Sequence, residues 1–307
     1  MKLGKKVLIL GGTGAMGVPL QRILSGLDSI SAIKVTSRSI RSSENPKIVY
    51  IQGNARDIGF LKGILSEGYD VVIDFMNYDL DEFAYRIETL LLSTAHYIWF
   101  SSCRVYAEST TAITEESPRL LETSNDDEFL ATNRYALRKA RQEDLLNCSG
   151  MHNYTIIRPY ITYNSERLQL GILEKEQWLY RLLKGKPLVI SSEMLEHTTT
   201  LTHGDDVAQV ISDIVENIKP NGETIQIAGR DTIKWKDLLS LYVSILKNHI
   251  KDFSPVIFRS DDIQPVELLF EGGYNTIYDR NYDRRFDSSK VESVLGHPIA
   301  CQPIVKG

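Results

Sequence analysis

Along the first half of the 307-residue chain, short β-rich apolar runs alternate with longer amphipathic stretches. The runs are KVLIL at 6–10, AIKV at 32–35, KIVYI at 47–51, DVVIDF at 70–75, YIWF at 97–100 and YTIIR at 154–158. Between them the apolar spacing predicts helices near 15–26, 57–67, 79–94 and 128–148. This alternation predicts an α/β fold, a doubly wound parallel sheet with crossover helices on both faces. After Pro159 the pattern loosens into helices near 171–184, 205–217 and 234–248 and strands near 188–190, 199–203 and 224–228. We therefore expect a first domain over 1–160 and a smaller α/β lobe over 161–307, with some late segments returning to the first. The acidic segment 107–128 reads as a solvated loop or as a flap before the next helix.

Composition narrows the function classes. The net charge of −5 argues against a nucleic-acid or anionic-membrane surface. Cys103, Cys148 and Cys301 are widely spaced, without the paired spacing of a zinc site or a disulfide framework. No metal is expected, and a reducing, cytoplasmic setting is. No apolar run approaches membrane-spanning length, and the start MKLGKKVLILGG lacks the apolar core of a signal peptide.

The chemistry begins at the first strand-to-helix turn. In VLILGGTGAMG, Gly12, Gly14 and Gly17 form a G-x-G-x-x-G pattern, within a turn running through Gly11, Gly12, Thr13, Gly14, Ala15, Met16 and Gly17. Absent side chains let backbone N–H groups approach a pyrophosphate, which the helix N-terminus also favours. Where an NAD site usually carries an acid, this chain reads VTSRSIR, with Thr36, Ser37 and Arg38. A guanidinium there suits a 2′-phosphate, so NADP(H) is expected over NAD(H). Further on, NRYALRKARQE sets Tyr135 four residues before Lys139 on one helix face, where a cation can lower the phenol's pKa. The same spacing recurs at Tyr180 and Lys184, so spacing alone does not single out a site.

Together these pieces resemble the extended short-chain dehydrogenase/reductase family, also called NAD-dependent epimerase/dehydratase. SSCRVY after the fifth strand resembles its S-S-x-x-V-Y signature and implies Ser102 as a catalytic hydroxyl. Tyr135 follows Ser102 at about the family's distance, whereas Tyr180 lies in the second lobe. GNARD resembles the adenine-contacting segment, with Asn54 and Ala55 at the cofactor and Asn54 replacing an aspartate. DFMNY makes Phe75 and Met76 cofactor walls, Met76 and Asn77 departing from the usual small residues; Ser101 and Pro159 complete the implied cofactor contacts. RPYITYN resembles R-P-x-x-x-Y-G with Asn164 in place of glycine, and LTHGDDVAQ resembles a helix start that Asp205 or Asp206 would cap.

The resemblance implies a Rossmann-type fold and a proton exchanged by Tyr135, with Lys139 lowering its pKa and holding the nicotinamide ribose and Ser102 orienting the oxygen. It also implies a nucleotide-sugar substrate and a homodimer, for which FAYRIETLLL offers a helical apolar stripe that also reads as ordinary core packing. The family's dehydratases carry Asp-Glu where this chain has Cys103 and Arg104, so elimination is disfavoured; if Arg38 binds a 2′-phosphate, NADPH-dependent reduction of a keto group is favoured. An epimerase with tightly bound NAD(P) is the alternative, and a nonenzymatic cofactor-binding regulator or RNA-associated protein is another. Cys103 reads as a small half-buried thiol packing beside the strand or, alternatively, as a substrate-side acid or base. Arg280, Arg284 and Arg285 are candidates for holding a substrate pyrophosphate.

Overall fold

A computed structural model describes residues 4–261 and 273–304. Its centre is a sheet of seven parallel strands: β1 (Lys5–Leu10), β2 (Ile30–Ser37), β3 (Ile48–Gln52), β4 (Tyr69–Asp74), β5 (Thr94–Phe100), β6 (Tyr154–Pro159) and β7 (Glu223–Ile227). Their order is β7-β6-β5-β4-β1-β2-β3. The chain thus winds outward in both directions from β1, which opens a crevice at the carboxyl ends of β1 and β4.

Both faces of the sheet are covered, which is why its inner strands are continuously apolar rather than alternating. Val7 and Ile9 face a core shared with Leu20 and Leu24 of α1 (Gly17–Ser25). Leu8 and Leu10 face the opposite core, with Leu61 of α2 (Ile58–Leu65), Phe83 and Leu90 of α3 (Leu80–Leu92) and Leu146 of α4 (Tyr135–Asn147). A third cluster, built on Trp178, Leu182, Leu188, Trp235 and Leu238, belongs to α5 (Lys175–Leu183), the strand Leu188–Ser191 and a later helix, Trp235–His249. The first core is completed by α6 (Gly204–Asn217) and by β7, which pairs with β6. A boundary at residue 160 therefore stays a proposal, since α6 and β7 lie beyond it in the chain.

Four readings need adjustment. The helix expected over 128–148 is two pieces, Asp127–Leu130 and α4, so Tyr135 opens its helix rather than sitting inside it. The acidic segment is pinned: Ile113 is buried and exchanges backbone hydrogen bonds with Arg285 and Asp287, and Arg119 reaches Glu143 at 2.9 Å and Asp144 at 2.7 Å. His203, not an aspartate, caps α6, while Asp205 pairs with Arg22 at 2.7 Å and Asp206 accepts the Gln302 N–H. The stripe FAYRIETLLL is mostly core, because Phe83, Ile87, Leu90 and Leu91 point inward and Tyr85 and Leu92 are its exposed large members.

Candidate active site

The glycines of the first turn divide their work. A Cβ on Gly12 would meet Ile9 at 2.5 Å, and one on Gly17 would meet the Gly12 carbonyl oxygen at 2.3 Å, so both allow α1 to close on β1. A Cβ on Gly14 would meet no atom within 4 Å. That open space lies beside the start of α1, where a pyrophosphate could approach the backbone. Gly11 has φ +68°, a left-handed conformation that favours glycine. Asn164, at the end of RPYITYN, donates its side-chain amide to the Ala15 carbonyl at 3.0 Å and so ties the turn to the segment that follows β6.

Three cavities follow the crevice. One of about 330 Å³ is lined by Gly11, Thr13, Thr36, Ser37, Arg38, Gly53, Asn54, Ala55, Arg56, Met76 and Asn77. Among the described residues no acid lines it, which distinguishes it from a site that grips ribose hydroxyls with a carboxylate. Arg56 is engaged by Glu82 at 2.8 Å, whereas Arg38 is exposed at the rim. Met76 and Asn77 also line the next cavity, about 300 Å³, with Met16, Phe75, Ser101, Ser102, Arg104, Tyr135, Lys139, Pro159, Arg167, Asn275 and Arg280. Arg167 and Glu174 connect that space to an open groove of about 930 Å³ beside Thr13 and Gly14. The residues present fit a dinucleotide lying across the carboxyl ends of β1 and β4.

The middle cavity brings Ser102, Tyr135 and Lys139 together. Ser102 leaves the end of β5 and its hydroxyl accepts the Arg104 N–H at 3.2 Å. Tyr135 and Lys139 are one turn apart on α4, with Lys139 buried. Its ammonium donates to the Phe100 carbonyl at 2.6 Å and lies 4.4 Å from the centre of the Trp99 ring. Burial pushes Lys139 down to about 7, with Asp74 opposing the shift. Asp74, wholly buried, is pushed up to about 6 by burial; the Met76 N–H at 2.9 Å, the Tyr97 hydroxyl at 2.8 Å and Lys139 hold it lower than burial alone would.

A helix as polar as α4 can lie against the sheet only if its buried polar groups are partnered. Gln142 donates to the Tyr78 carbonyl at 2.9 Å. Glu143, one turn beyond Lys139, takes a two-pronged contact from Arg158 at 2.7 and 2.8 Å and a third from Arg119. Ser101 donates to the same carboxylate. These contacts tie α4 to β6, to the end of β5 and to the acidic segment. Sequence reading missed Glu143 and Arg119, although the i+4 spacing from Lys139 to Glu143 was visible.

Other candidates separate. Cys103 is fully buried with its thiol on the Arg158 carbonyl at 3.0 Å; burial pushes its pKa far up, and it does not line the cavity, so it is no substrate-side acid or base. Arg284 is fully buried, donating to the Ala107, Tyr106 and Tyr278 carbonyls and pairing with Asp279 at 3.0 Å; its donors hold the chain together. Arg285 is exposed and also lies outside the cavity. Arg280 does line it, joined by Arg104, Arg167, Gln169, Glu174 and Asn275, which sequence reading did not assign to the site. Tyr180 is 48% exposed, and neither it nor Lys184 lines the cavity.

No protein-family model matches the chain. It is 28% identical over 248 residues to the chloroplast stem-loop binding protein of 41 kDa b of Arabidopsis thaliana, an alignment covering 76% of this chain and 61% of that one. The chain thus spans less than two thirds of that relative's length. It is 21% identical over 276 residues to 2′-dehydrokanamycin reductase of Streptomyces kanamyceticus, covering 87% and 74% of the two chains. Among solved structures, UDP-glucuronic acid 4-epimerase from Bacillus cereus in complex with NAD superposes with a TM-score of 0.70 at 17% identity, over 97% of this chain and 94% of that one.

Proposed function

From the fold of the extended short-chain dehydrogenase/reductase enzymes, we propose that this chain is an NAD(P)-dependent oxidoreductase acting on a nucleotide-activated sugar, most simply by reducing a keto group with NADPH. The observation that carries the reading is the meeting of Ser102, Tyr135 and Lys139 in one cavity that adjoins the glycine-turn cavity through Met76 and Asn77. When bound, the reduced nicotinamide supplies a hydride to the carbonyl carbon. Tyr135 gives its phenolic proton to the carbonyl oxygen, completing the alcohol. Ser102 orients that oxygen by a hydrogen bond. Lys139 holds the nicotinamide ribose and, when protonated, favours the phenolate left on Tyr135.

Arg38 on the acid-free cavity supports NADP(H), and a relative that is a reductase by name supports net reduction. The NAD complex of a UDP-sugar epimerase supports the alternative, an epimerase that oxidises and re-reduces its substrate. The test is a screen of nucleotide sugars and their keto derivatives for cofactor absorbance change and product stereochemistry. Net oxidation of NADPH supports reduction, and an inverted carbon with no net cofactor change supports the epimerase. The stem-loop binding relative favours a second reading, a cofactor-binding RNA-associated protein. Tight binding of RNA hairpins together with no turnover on any nucleotide sugar would replace the enzymatic reading with that one. A homodimer and a cytoplasmic setting remain part of the proposal.

A further inference from the structure

Among the described residues, the arginines gathered around Asp279 beside the catalytic cavity outnumber the acids that balance them. Asp279 is 2% exposed and is shared by Arg104 at 3.6 Å, Arg284 at 3.0 Å and Arg280. Arg167, the fourth guanidinium nearby, is already matched by Glu174 in a two-pronged pair at 2.7 and 3.2 Å. Among the described residues, one carboxylate therefore faces three guanidiniums. Burying a charge without a counter-charge is costly, so a cluster of this kind is most stable when an anion joins it. Burial and the neighbouring arginines push Arg280 down to about 9, and burial also lowers Arg104.

Two of the three arginines can meet a ligand. Arg284 spends its donors on backbone carbonyls and Asp279 and does not line the cavity, while Arg104 and Arg280 do. Arg280 is fixed by donating to the Gly171 carbonyl at 2.9 Å, and Arg104 by donating to the Asn275 side chain. Arg104 also stands at the reacting end. Its guanidinium carbon is 4.9 Å from the centre of the Tyr135 ring, and its backbone N–H is the donor to Ser102.

We propose that Arg104 and Arg280 bind an anionic group, a carboxylate or a phosphate, carried by the sugar unit that reacts at Tyr135. The substrate class is thus narrowed to sugars bearing their own acid close to the reacting carbon. The guanidinium nitrogens of the two arginines donate charge-assisted hydrogen bonds to the oxygens of such a group. Arg104 is then a specificity-determining residue, since a neutral sugar would leave the cluster's charge unanswered. This assignment rests on the enzymatic reading above for the identity of the reacting unit, and on the cavity alone for the anion.

Calorimetry on the cofactor-loaded protein tests it with UDP-glucuronic acid and UDP-glucose, which differ in a carboxylate against a hydroxymethyl group. UDP, glucuronate, glucose 6-phosphate and glucose are the control ligands. The expected result is UDP-glucuronic acid binding about 10 to 150-fold more tightly than UDP-glucose, the range of a charge-assisted hydrogen bond, with Arg104→Leu removing most of the difference. Arg104→Leu should fold, because Asp279 keeps Arg280 and Arg284. Should it fail to fold, the ratio between the two ligands in the unaltered protein decides. If neither nucleotide sugar binds but glucuronate or glucose 6-phosphate binds better than glucose, the anion site stands and the nucleotide-sugar reading fails. Equal binding of the two UDP-sugars, with UDP itself sensitive to Arg104, would show that the arginines hold the diphosphate and would overturn the proposal. Binding by none of the anions would overturn it as well.

Discussion

At the glycine turn, three glycines shape the crevice by what they lack, and around Asp279 three arginines shape it by the charge they carry. The first region is made of backbone from one short stretch, residues 11–17, whose geometry follows from local chain chemistry. The second is assembled from Asp279, Arg280 and Arg284 at one end of the chain and Arg104, far from them in sequence. A cofactor common to many enzymes can be held by a recurring backbone device, while a particular substrate needs side chains chosen for it. Tyr135 and Lys139 stand between the two regions, and variants there separate them most sharply.

The largest effect is expected at Tyr135. Removing its oxygen in Tyr135→Phe takes away the proton and leaves the glycine turn untouched, so turnover should fall by about 10² to 10⁴ while cofactor affinity stays nearly intact. Turnover that survives, measured on the substrate found in the screen, would break the proposed mechanism and leave the fold standing.

Next comes Arg38, the exposed guanidinium at the rim of the glycine-turn cavity. Losing an arginine–phosphate contact costs about 1.5 to 3 kcal/mol, so Arg38→Ala should remove a preference for NADP(H) of about 10 to 150-fold and leave NAD(H) binding nearly unchanged. Equal affinity of the unaltered protein for both cofactors in calorimetry would contradict it. In that case no charged side chain would choose between the two cofactors, and the contrast with the arginine wall would sharpen.

Lys139 links the regions through pH. Its folded pKa is about 7 because burial disfavours the ammonium, and a ribose contact would favour that ammonium again. Below about pH 7 the lysine is already charged, so cofactor binding takes up little. Above it, binding must draw in a proton, and affinity should fall by up to about tenfold per pH unit until the pKa of the complex is reached. Calorimetry at pH 8 in buffers of different ionisation enthalpy measures the uptake as a sizeable fraction of one proton. Lys139→Met should show none, and zero uptake in the unaltered protein would refute the coupling.

The same contrast explains what was legible. The sheet, its helices and the glycine turn follow from local periodicity, because every strand of VLIL type had to be covered on both faces. The burial of α4 does not follow from its polar sequence. It depends on Arg158 for Glu143 and on the Phe100 carbonyl for Lys139, a partner 39 positions away. Arg104 was visible in SSCRVY, yet its pairing with Asp279 joins residues far apart in the chain. Arg284 shows the converse: a basic residue in a promising run that the fold uses to hold three backbone carbonyls.

The smallest effect is expected at the second Tyr-x-x-x-Lys pair, and it tests whether place or spacing makes the site. Tyr180 lies on α5, 48% exposed, with Lys186 rather than Lys184 over its ring at 5.3 Å. Lys184 ends the helix, donating its backbone N–H to the Tyr180 carbonyl at 3.1 Å. Neither side chain has Ser102, the Phe100 carbonyl or the glycine turn beside it, so neither can meet a carbonyl oxygen or a ribose in the crevice. Tyr180→Phe and Lys184→Ala should each change stability by no more than about 0.5 kcal/mol, as surface substitutions do, and leave turnover and cofactor affinity at their original values. Urea unfolding and steady-state kinetics check both. A loss of turnover of about tenfold or more in either variant would mean that α5 reaches the reacting centre in solution, and the separation between the two pairs would fall.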